Sequence, residues 1–308
     1  MALDSHKTVL LDEAVAALLK KPDGTYVDCT YGRGGHSQEI ANRMNNQGRL
    51  MVIDKDQSAI ADARVRFKGD DRVVVVHGSF SRLAEYVDDH EMRPLDGILL
   101  DLGVSSPQLD DPLRGFSFMK DGPLDMRMDQ AVGESASEWL AVADENEITD
   151  VLRRYGEEKF ARRIAKKIVS IRQDKKIETT SSLVEVIESA IPKREKNKHP
   201  ATRTFQAVRI QVNQELKSLE DCLQDVVDLL VSGGRLVVIS FHSLEDRIVK
   251  RFIRRMERED DYPDRFPIRA DEIEHQLKSV GKPIRPGDEE VRGNRRSRSS
   301  IMRVAERL

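Results

Sequence analysis

The sequence predicts an α/β fold: a mostly parallel, doubly wound sheet interrupted by an all-helical insertion. Three observations carry the prediction. Four short apolar runs alternate with helix-period segments between Thr25 and Leu102, the alternation that builds a parallel sheet with helices on its faces. From Ser135 the chain then reads as helix after helix, and no further core strand is expected until Arg235 to Phe241. The first strand also runs directly into a glycine-rich turn, Gly32-Arg-Gly-Gly-His36, of the kind that lets a sheet of this class approach a ligand.

Each element can be justified in order. Val9, Leu10, Ala14, Ala17 and Leu18 give His6 to Leu19 a helical period, and Pro22-Asp23-Gly24 turns the chain into a strand carrying Tyr26, Val27, Cys29 and Tyr31. A helix follows from His36 to Met44. Arg49 to Ile53 is the second strand and ends in Asp54; Ser58 to Phe67 is the next helix. Arg72 to His77 contains the unbroken run Val73 to Val76, expected where both faces of a strand are buried. Gly78-Ser-Phe80 closes it at the edge that also holds Asp28 and Asp54. Ser81 to Asp88 reads as a helix and Asp96 to Leu102 as a fourth strand ending near Asp101.

The pattern then changes. Gly103 to Gly133, rich in Pro, Gly, Asp and Met, has no sustained period and reads as a long ordered loop. Helices are expected at Ser137 to Ala143, Asn146 to Tyr155, Glu157 to Arg172 and Ser181 to Ala190, then, after a basic link from Pro192 to Pro200, a long helical stretch from Thr202 to Val231. His242 to Glu257 begins as a loop and becomes a basic helix, Asp260 to Asn294 reads as irregular, and Arg298 to Arg307 alternates like a last antiparallel strand. The expected division is a sheet domain from 1–110 and 216–308, with a helical insertion at 111–215.

Composition bounds the function. The chain has 308 residues, 34% of them charged, with no apolar run of membrane-spanning length and no signal-peptide pattern at its N-terminus, so a cytoplasmic protein without membrane contact is expected. Cys29 and Cys222 stand apart from any His or Cys at ligand spacing and read as buried thiols; no metal is expected. The net charge of −3 hides an asymmetry: Glu85 to Asp150 holds 17 acidic and 4 basic residues, whereas Arg153 to Arg209 holds 16 basic and 7 acidic. A basic block in a slightly acidic chain points to a localised polyanion site.

The glycine turn is the chemical centre of the sheet. Gly32, Gly34 and Gly35 allow positive φ and a close approach, and the N–H groups of the helix behind them carry partial positive charge. Asp54 lies twenty positions after Gly34, the spacing at which a carboxylate accepts hydrogen bonds from a ribose. Dinucleotides and S-adenosylmethionine are both held this way. Asp28, at the strand end before the glycines, favours S-adenosylmethionine, since a carboxylate there repels a pyrophosphate and tolerates an ammonium and a sulfonium. Phe80 is placed to lie against an adenine face, and Asp101 to face the methionine portion.

Beyond the fourth strand, Asp101-Leu-Gly-Val-Ser-Ser-Pro-Gln-Leu-Asp110 partly matches the short Ser/Asp/Asn-Pro segment with which nucleotide-modifying methyltransferases present acceptors to an exocyclic amine. A cytosine amine delocalises its lone pair into the ring, so acceptors on its N–H groups favour the nucleophilic form. Ser105, Ser106 and Pro107 are the candidate catalytic segment. The second Pro and the aromatic of that motif are absent, Gln108 standing instead, and Phe116 or Phe118 is the candidate stacking surface.

Seven strings place the chain beside one family: Thr8-Val-Leu-Leu-Asp-Glu-Ala14, Tyr31-Gly-Arg-Gly-Gly-His-Ser37, Asp96 to Asp110, Arg114-Gly-Phe-Ser-Phe-Met119, Gly122-Pro-Leu-Asp-Met-Arg-Met128, His199 to Arg209 and Ser240-Phe-His-Ser-Leu-Glu-Asp-Arg247. Together they resemble the bacterial ribosomal RNA small-subunit methyltransferase H family, also called MraW. The resemblance implies a class I (Rossmann-like) methyltransferase that methylates the N4 amine of a decoding-region cytidine in 16S rRNA, within the small ribosomal subunit. It also implies S-adenosylmethionine contacts at Gly34, Gly35, His36, Asp54, Phe80, Asp101 and Gln108. From Arg258 to Asn294 it is nearly silent.

For the substrate, Lys193, Arg194, Lys196, Lys198, Arg203 and Arg209 flank His199-Pro200 and are expected to meet RNA phosphates, and Phe241 with His242 to help position a flipped base. Two rival readings stay open on the residues alone. One is a nicotinamide-dependent oxidoreductase on the same fold; the other is a noncatalytic RNA-binding module with a vestigial pocket.

Overall fold

The computed structural model describes residues 8–192, 199–258 and 275–308. The chain divides into two compact units, Met1–Gly103 with Leu216–Leu308, and Val104–Glu215. The change of unit at Gly103 falls before the Ser105 segment, whereas the sequence pattern was read as changing at 110.

The first unit is built around a sheet with the order β3-β2-β1-β4-β5-β7-β6. It opens with α1 (Leu11–Leu18), then β1 (Thr25–Asp28), α2 (Gly35–Arg43), β2 (Arg49–Asp54), α3 (Gln57–Arg66), β3 (Val73–His77), α4 (Leu83–Asp89) and β4 (Leu95–Asp101). The order places β1 between β2 and β4, so the chain winds one way through β2 and β3 and the other way through β4 and the later strands. That reversal opens the crevice at the carboxyl ends of β1 and β4 where ligands of such sheets bind. Register aligns the ends: Asp28 lies beside Val52 and Leu99, Asp54 beside His77, and Asp101 beside Ile239 on β5 (Leu230–Ser240).

The second unit is helical: α5 (Ser106–Asp110), α6 (Ala136–Val142), α7 (Glu145–Gly156), α8 (Ala161–Ile171), α9 (Thr180–Ala190) and α10 (Thr202–Asn213). Its starts are written locally. The Ser135 hydroxyl accepts from the Glu138 N–H while the Glu138 carboxylate accepts from the Ser135 N–H, a capping box, and Asp144 caps α7 through the N–H groups of Asn146 and Glu147. Its core is apolar, with Trp139, Ile148, Leu152, Ile164, Ile168 and Phe205 buried.

The structure departs from several local expectations. The long loop from Gly103 contains α5 and a 3-10 turn at Pro112–Arg114; a five-residue helix is too short to show a period, and Pro107 and Gln108 start it. The stretch from Thr202 to Val231 is two helices, α10 and α11 (Glu215–Leu229), separated at Gln214, which takes φ 49° with neither Gly nor Pro to announce it. The fifth strand begins at Leu230, carried across Gly233 at φ 80° with a register irregularity.

The last correction concerns the tail. After α12 (Ser243–Arg258), β6 (Leu277–Ser279) and α13 (Asp288–Gly293) lie in the stretch read as irregular; β6 pairs antiparallel with β7 (Ile301–Arg307), which also pairs antiparallel with β5. Three residues of strand carry too little pattern to be seen without their partner. Cys29 follows β1 rather than lying in it, and both it and Cys222 are free and buried.

Candidate cofactor site at the sheet edge

The glycine turn is made by hydrogen bonds from the strand ends. Gly32 and Gly34 take φ 56° and 71°, conformations that a side chain disfavours, and a Cβ on Gly34 would sit 2.5 Å from the Tyr31 hydroxyl. Asp54 Oδ2 accepts from the Gly32 N–H at 2.7 Å and Oδ1 from the Asp56 N–H at 2.8 Å. A carboxylate has about four acceptor positions, so Asp54 keeps one on each oxygen for a ribose hydroxyl. Burial pushes its carboxyl up to about 6 against the opposing pull of those two N–H groups.

Asp28 points inward instead. It is fully buried, Oδ2 accepting from the Ser37 hydroxyl at 2.5 Å and Oδ1 from the Thr30 N–H at 3.1 Å. Burial lifts it to about 6. Its work is to hold α2 and the turn together and to add negative charge to the edge.

Asp101 is the carboxylate left open. Its N–H donates to Thr30 Oγ1 at 2.6 Å, tying the ends of β4 and β1, but its Oδ1 is buried without a hydrogen-bond partner. Burial, then the charges of Asp28 and Glu245, hold its carboxyl well above the usual range. His36 Nδ1 lies 3.6 Å from Asp101 Oδ2, and Nε2 is buried and unpartnered. Burial lowers the imidazole to about 4, so it is neutral at physiological pH. An orphaned acceptor and a neutral imidazole side by side suit an ammonium and repel a phosphate, because desolvated negative charge has no counterion here.

The rim is completed by aromatic and backbone features. Phe80 opens a 3-10 turn after β3, packs on the sheet core, and has the Lys55 ammonium 5.9 Å from its ring centroid. Gly103 takes φ 97°, and a Cβ there would lie 3.5 Å from the Phe241 ring. Glu245, buried at the start of α12, accepts from the N–H groups of Phe241 and His242 at 2.8 and 3.2 Å. Its other oxygen lies 3.1 Å from His242 Nε2. Thr30, Ser37 and Glu245 were missed by sequence reasoning; only Glu245 left a signal, an acid at the third position of a helix after His242.

In the helical unit, Gln108 is buried and its Oε1 accepts from the Ser105 N–H at 2.9 Å, so it serves as the cap of α5. Phe116 is core, with the Arg114 guanidinium over its ring, while Phe118 stacks on His199 at 4.5 Å and meets Phe205 edge-on at 5.2 Å. Arg209 gives its guanidinium to Glu215 through two 2.8 Å hydrogen bonds, a fork-on-fork pair that occupies the geometry expected for phosphate. Arg203 is half-buried on α10. Lys193, Arg194, Lys196 and Lys198 lie outside the described residues. Among the described residues no group of His, Cys, Asp and Glu could hold a metal, and no helix is long and apolar enough to cross a membrane.

A sheet of this order whose only antiparallel pairings, among its described strands, involve β7 is the Rossmann-like frame of S-adenosylmethionine-dependent methyltransferases, and the open acceptors of Asp54 and Asp101 suit that cofactor's ribose and ammonium. More narrowly, the chain belongs to the MraW methylase family, whose sequence model matches residues 4–308. It is 54% identical over 306 residues to the ribosomal RNA small subunit methyltransferase H of Thioalkalivibrio sulfidiphilus, covering 99% of this chain and 98% of that protein. Among solved structures it is similar to an rRNA methylase from Streptococcus thermophilus (10% identity, 98% of both chains, TM-score 0.43). It is also similar to TrmN from Thermus thermophilus (11% identity, 97% of this chain and 48% of that one, TM-score 0.43).

Proposed function

We propose that this methyltransferase methylates the N4 amine of a decoding-region cytidine in 16S rRNA, acting in the cytoplasm on the small ribosomal subunit. The observation that carries the reading is a relative named for small-subunit ribosomal RNA, alike over essentially the whole of both chains. S-adenosylmethionine supplies the electrophilic methyl group. In this reading Asp54 accepts from its ribose hydroxyls, Asp101 faces its ammonium, Gly34, Gly35 and His36 line its methionine end and Phe80 its adenine.

The chain's part in the transfer is to hold the acceptor amine. Ser105, Ser106 and Pro107 supply acceptors to its N–H groups, so that nitrogen lone-pair density would be available to the methyl carbon; the C–N bond would form as the methyl–sulfur bond of the bound cofactor breaks, its electron pair going to sulfur, and the amine would lose one proton through these acceptors to solvent. Gln108 acts indirectly, by fixing the start of α5. The helical unit, with Arg203, His199 and the Lys193–Lys198 link, meets RNA phosphates, and Phe241 and His242 position the base.

Attack by ring carbon 5 would need a nucleophilic cysteine that adds to the pyrimidine. Cys29 and Cys222 are both free and buried, and burial pushes the Cys29 thiol well up. Both are unsuited to that role.

The test is tritium transfer from labelled S-adenosylmethionine to small subunits from a strain lacking this protein, followed by nucleoside analysis. N4-methylcytidine, or its 2′-O-methylated form, is expected. Recovery of 5-methylcytidine, or no transfer to 16S rRNA, overturns the proposal.

A further inference from the structure

A cavity of about 280 Å³ lies in the sheet unit, away from the carboxylate edge, between α12 and the β6–β7 hairpin. Lys250 and Arg254 of α12, Lys282 of the turn after β6, and Arg303 of β7 line it, with Glu257 as the only carboxylate among the described residues. Arg303 is matched by an opposite charge, whereas Glu257 holds a neutral N–H and keeps one negative charge against the three remaining cations. Arg303 is forked onto Asp246 at 2.7 and 3.1 Å, and Glu257 accepts from the Ser279 N–H at 2.5 Å. Lys250, Arg254 and Lys282 have no hydrogen bond or ion pair among the described residues, and Arg254 and Lys282 are exposed.

Cations near a helix C-terminus are ordinarily explained by the helix dipole. That explanation reaches Arg254, close to the end of α12, but not Lys250 in the middle of the helix nor Lys282, which arrives from a separate segment. Three cations against one carboxylate around one concavity make an anion site. The surroundings indicate a polyanion: Arg251 and Arg255 on α12, and Arg295, Arg296 and Arg298 before β7, are also exposed. The remaining walls include Ile253, Val280, Pro283 and Val304, and no aromatic ring lines the cavity among the described residues, which offer no stacking surface to a base.

We propose that this cavity is an auxiliary RNA anchor that takes a backbone phosphate of the substrate, independent of sequence. The inference rests on the RNA reading above and adds a contact on the sheet unit. Its position at the β6–β7 edge separates it from the carboxylate ends that hold the cofactor, so it contributes to RNA affinity and leaves cofactor affinity alone.

The experiment measures wild-type binding to small-subunit RNA across a salt series beside the double variant Arg254→Gln/Lys282→Gln. A control double variant, Arg64→Gln/Lys68→Gln, removes equal charge near the opposite sheet edge. The pocket variant is expected to bind RNA about three- to tenfold more weakly at low salt, with a log–log salt slope shallower by about one and the same loss for unrelated RNA sequences. The control is expected to keep wild-type affinity, and unchanged S-adenosylmethionine affinity shows that both variants are folded. Lys282→Glu, on an exposed turn, repeats the test with one substitution.

Wild-type affinity and slope in the pocket variants, or an equal loss in the control, overturns the anchor. Cytidine monophosphate binding that the pocket variant abolishes, with RNA affinity intact, makes the cavity a free-nucleotide site and also overturns it. If the wild-type protein binds and methylates no RNA, the functional reading itself has failed.

Discussion

The sheet unit and the helical unit treat charge in opposite ways. At the sheet edge, Asp28, Asp54 and Asp101 end adjacent strands with little solvent and no cation, and burial raises all three carboxyl groups. In the helical unit, α8 buries Ala161, Ile164, Ala165 and Ile168 and exposes Arg162, Arg163, Lys166 and Lys167. The first arrangement costs stability, because folded carboxyl groups at about 6 lose part of their contribution as pH climbs from about 4 to 6. The second costs little, since solvated charges are screened. A unit that concentrates unmatched, desolvated charge offers a ligand groups to satisfy; one that displays solvated charge offers, in the proposed reading, a face for a diffuse polyanion.

The contrast can be broken at several points. Ser106→Ala separates chemistry from binding: loss of one well-placed acceptor is expected to raise the barrier by about 2.7–4 kcal/mol, lowering turnover a hundredfold or more with cofactor affinity unchanged. Single-turnover kinetics check this, and a variant with wild-type turnover removes the Ser106 hydroxyl from the reaction. Asp54→Ala is expected to weaken S-adenosylmethionine binding by about 1–3 kcal/mol while RNA affinity holds. Unchanged calorimetric affinity in the folded variant would take Asp54 out of the site.

Arg209→Ala addresses a cation expected at RNA phosphate that is paired with Glu215 in the structure. Its bidentate pair with Glu215 is mostly buried, so the loss is expected in stability, about 2 kcal/mol, with an unaltered salt slope of RNA binding. Urea unfolding beside a salt series distinguishes the outcomes, and a shallower slope without destabilisation would restore Arg209 to the phosphate contacts.

What could be read from the sequence follows the same division. Regular elements with a fixed period gave the strand ends, so Asp54 and Asp101 could be placed at one edge by counting from the glycine turn. The direction of a side chain could not be counted: Asp28 was expected to face the ligand, and the Ser37 hydroxyl turns it inward. Contacts between distant segments were equally silent. Thr30 tying β1 to β4, and Phe118 stacked on His199, join residues 71 and 81 positions apart whose pairing no local pattern encodes. The α10–α11 break was hidden because Gln214 takes a left-handed conformation that its residue type does not advertise. Short elements, α5 and β6, lacked the length to show a period.

In the proposed reading the cofactor's ribose meets Asp54 as an ionised carboxylate. Asp54 is raised to about 6 in the free protein, and its ionised form is the one that accepts from a ribose, so affinity should climb as pH rises through 6 and level off above 7. His36, lowered to about 4, stays neutral across that window. Binding at pH 6 must then release protons. Calorimetric titration of S-adenosylmethionine at pH 6, in two buffers of different ionisation enthalpy, measures this directly. Net proton release, with affinity falling from pH 7.5 to pH 5, is the predicted result. Affinity independent of pH with no proton exchange, or net proton uptake, would contradict the account.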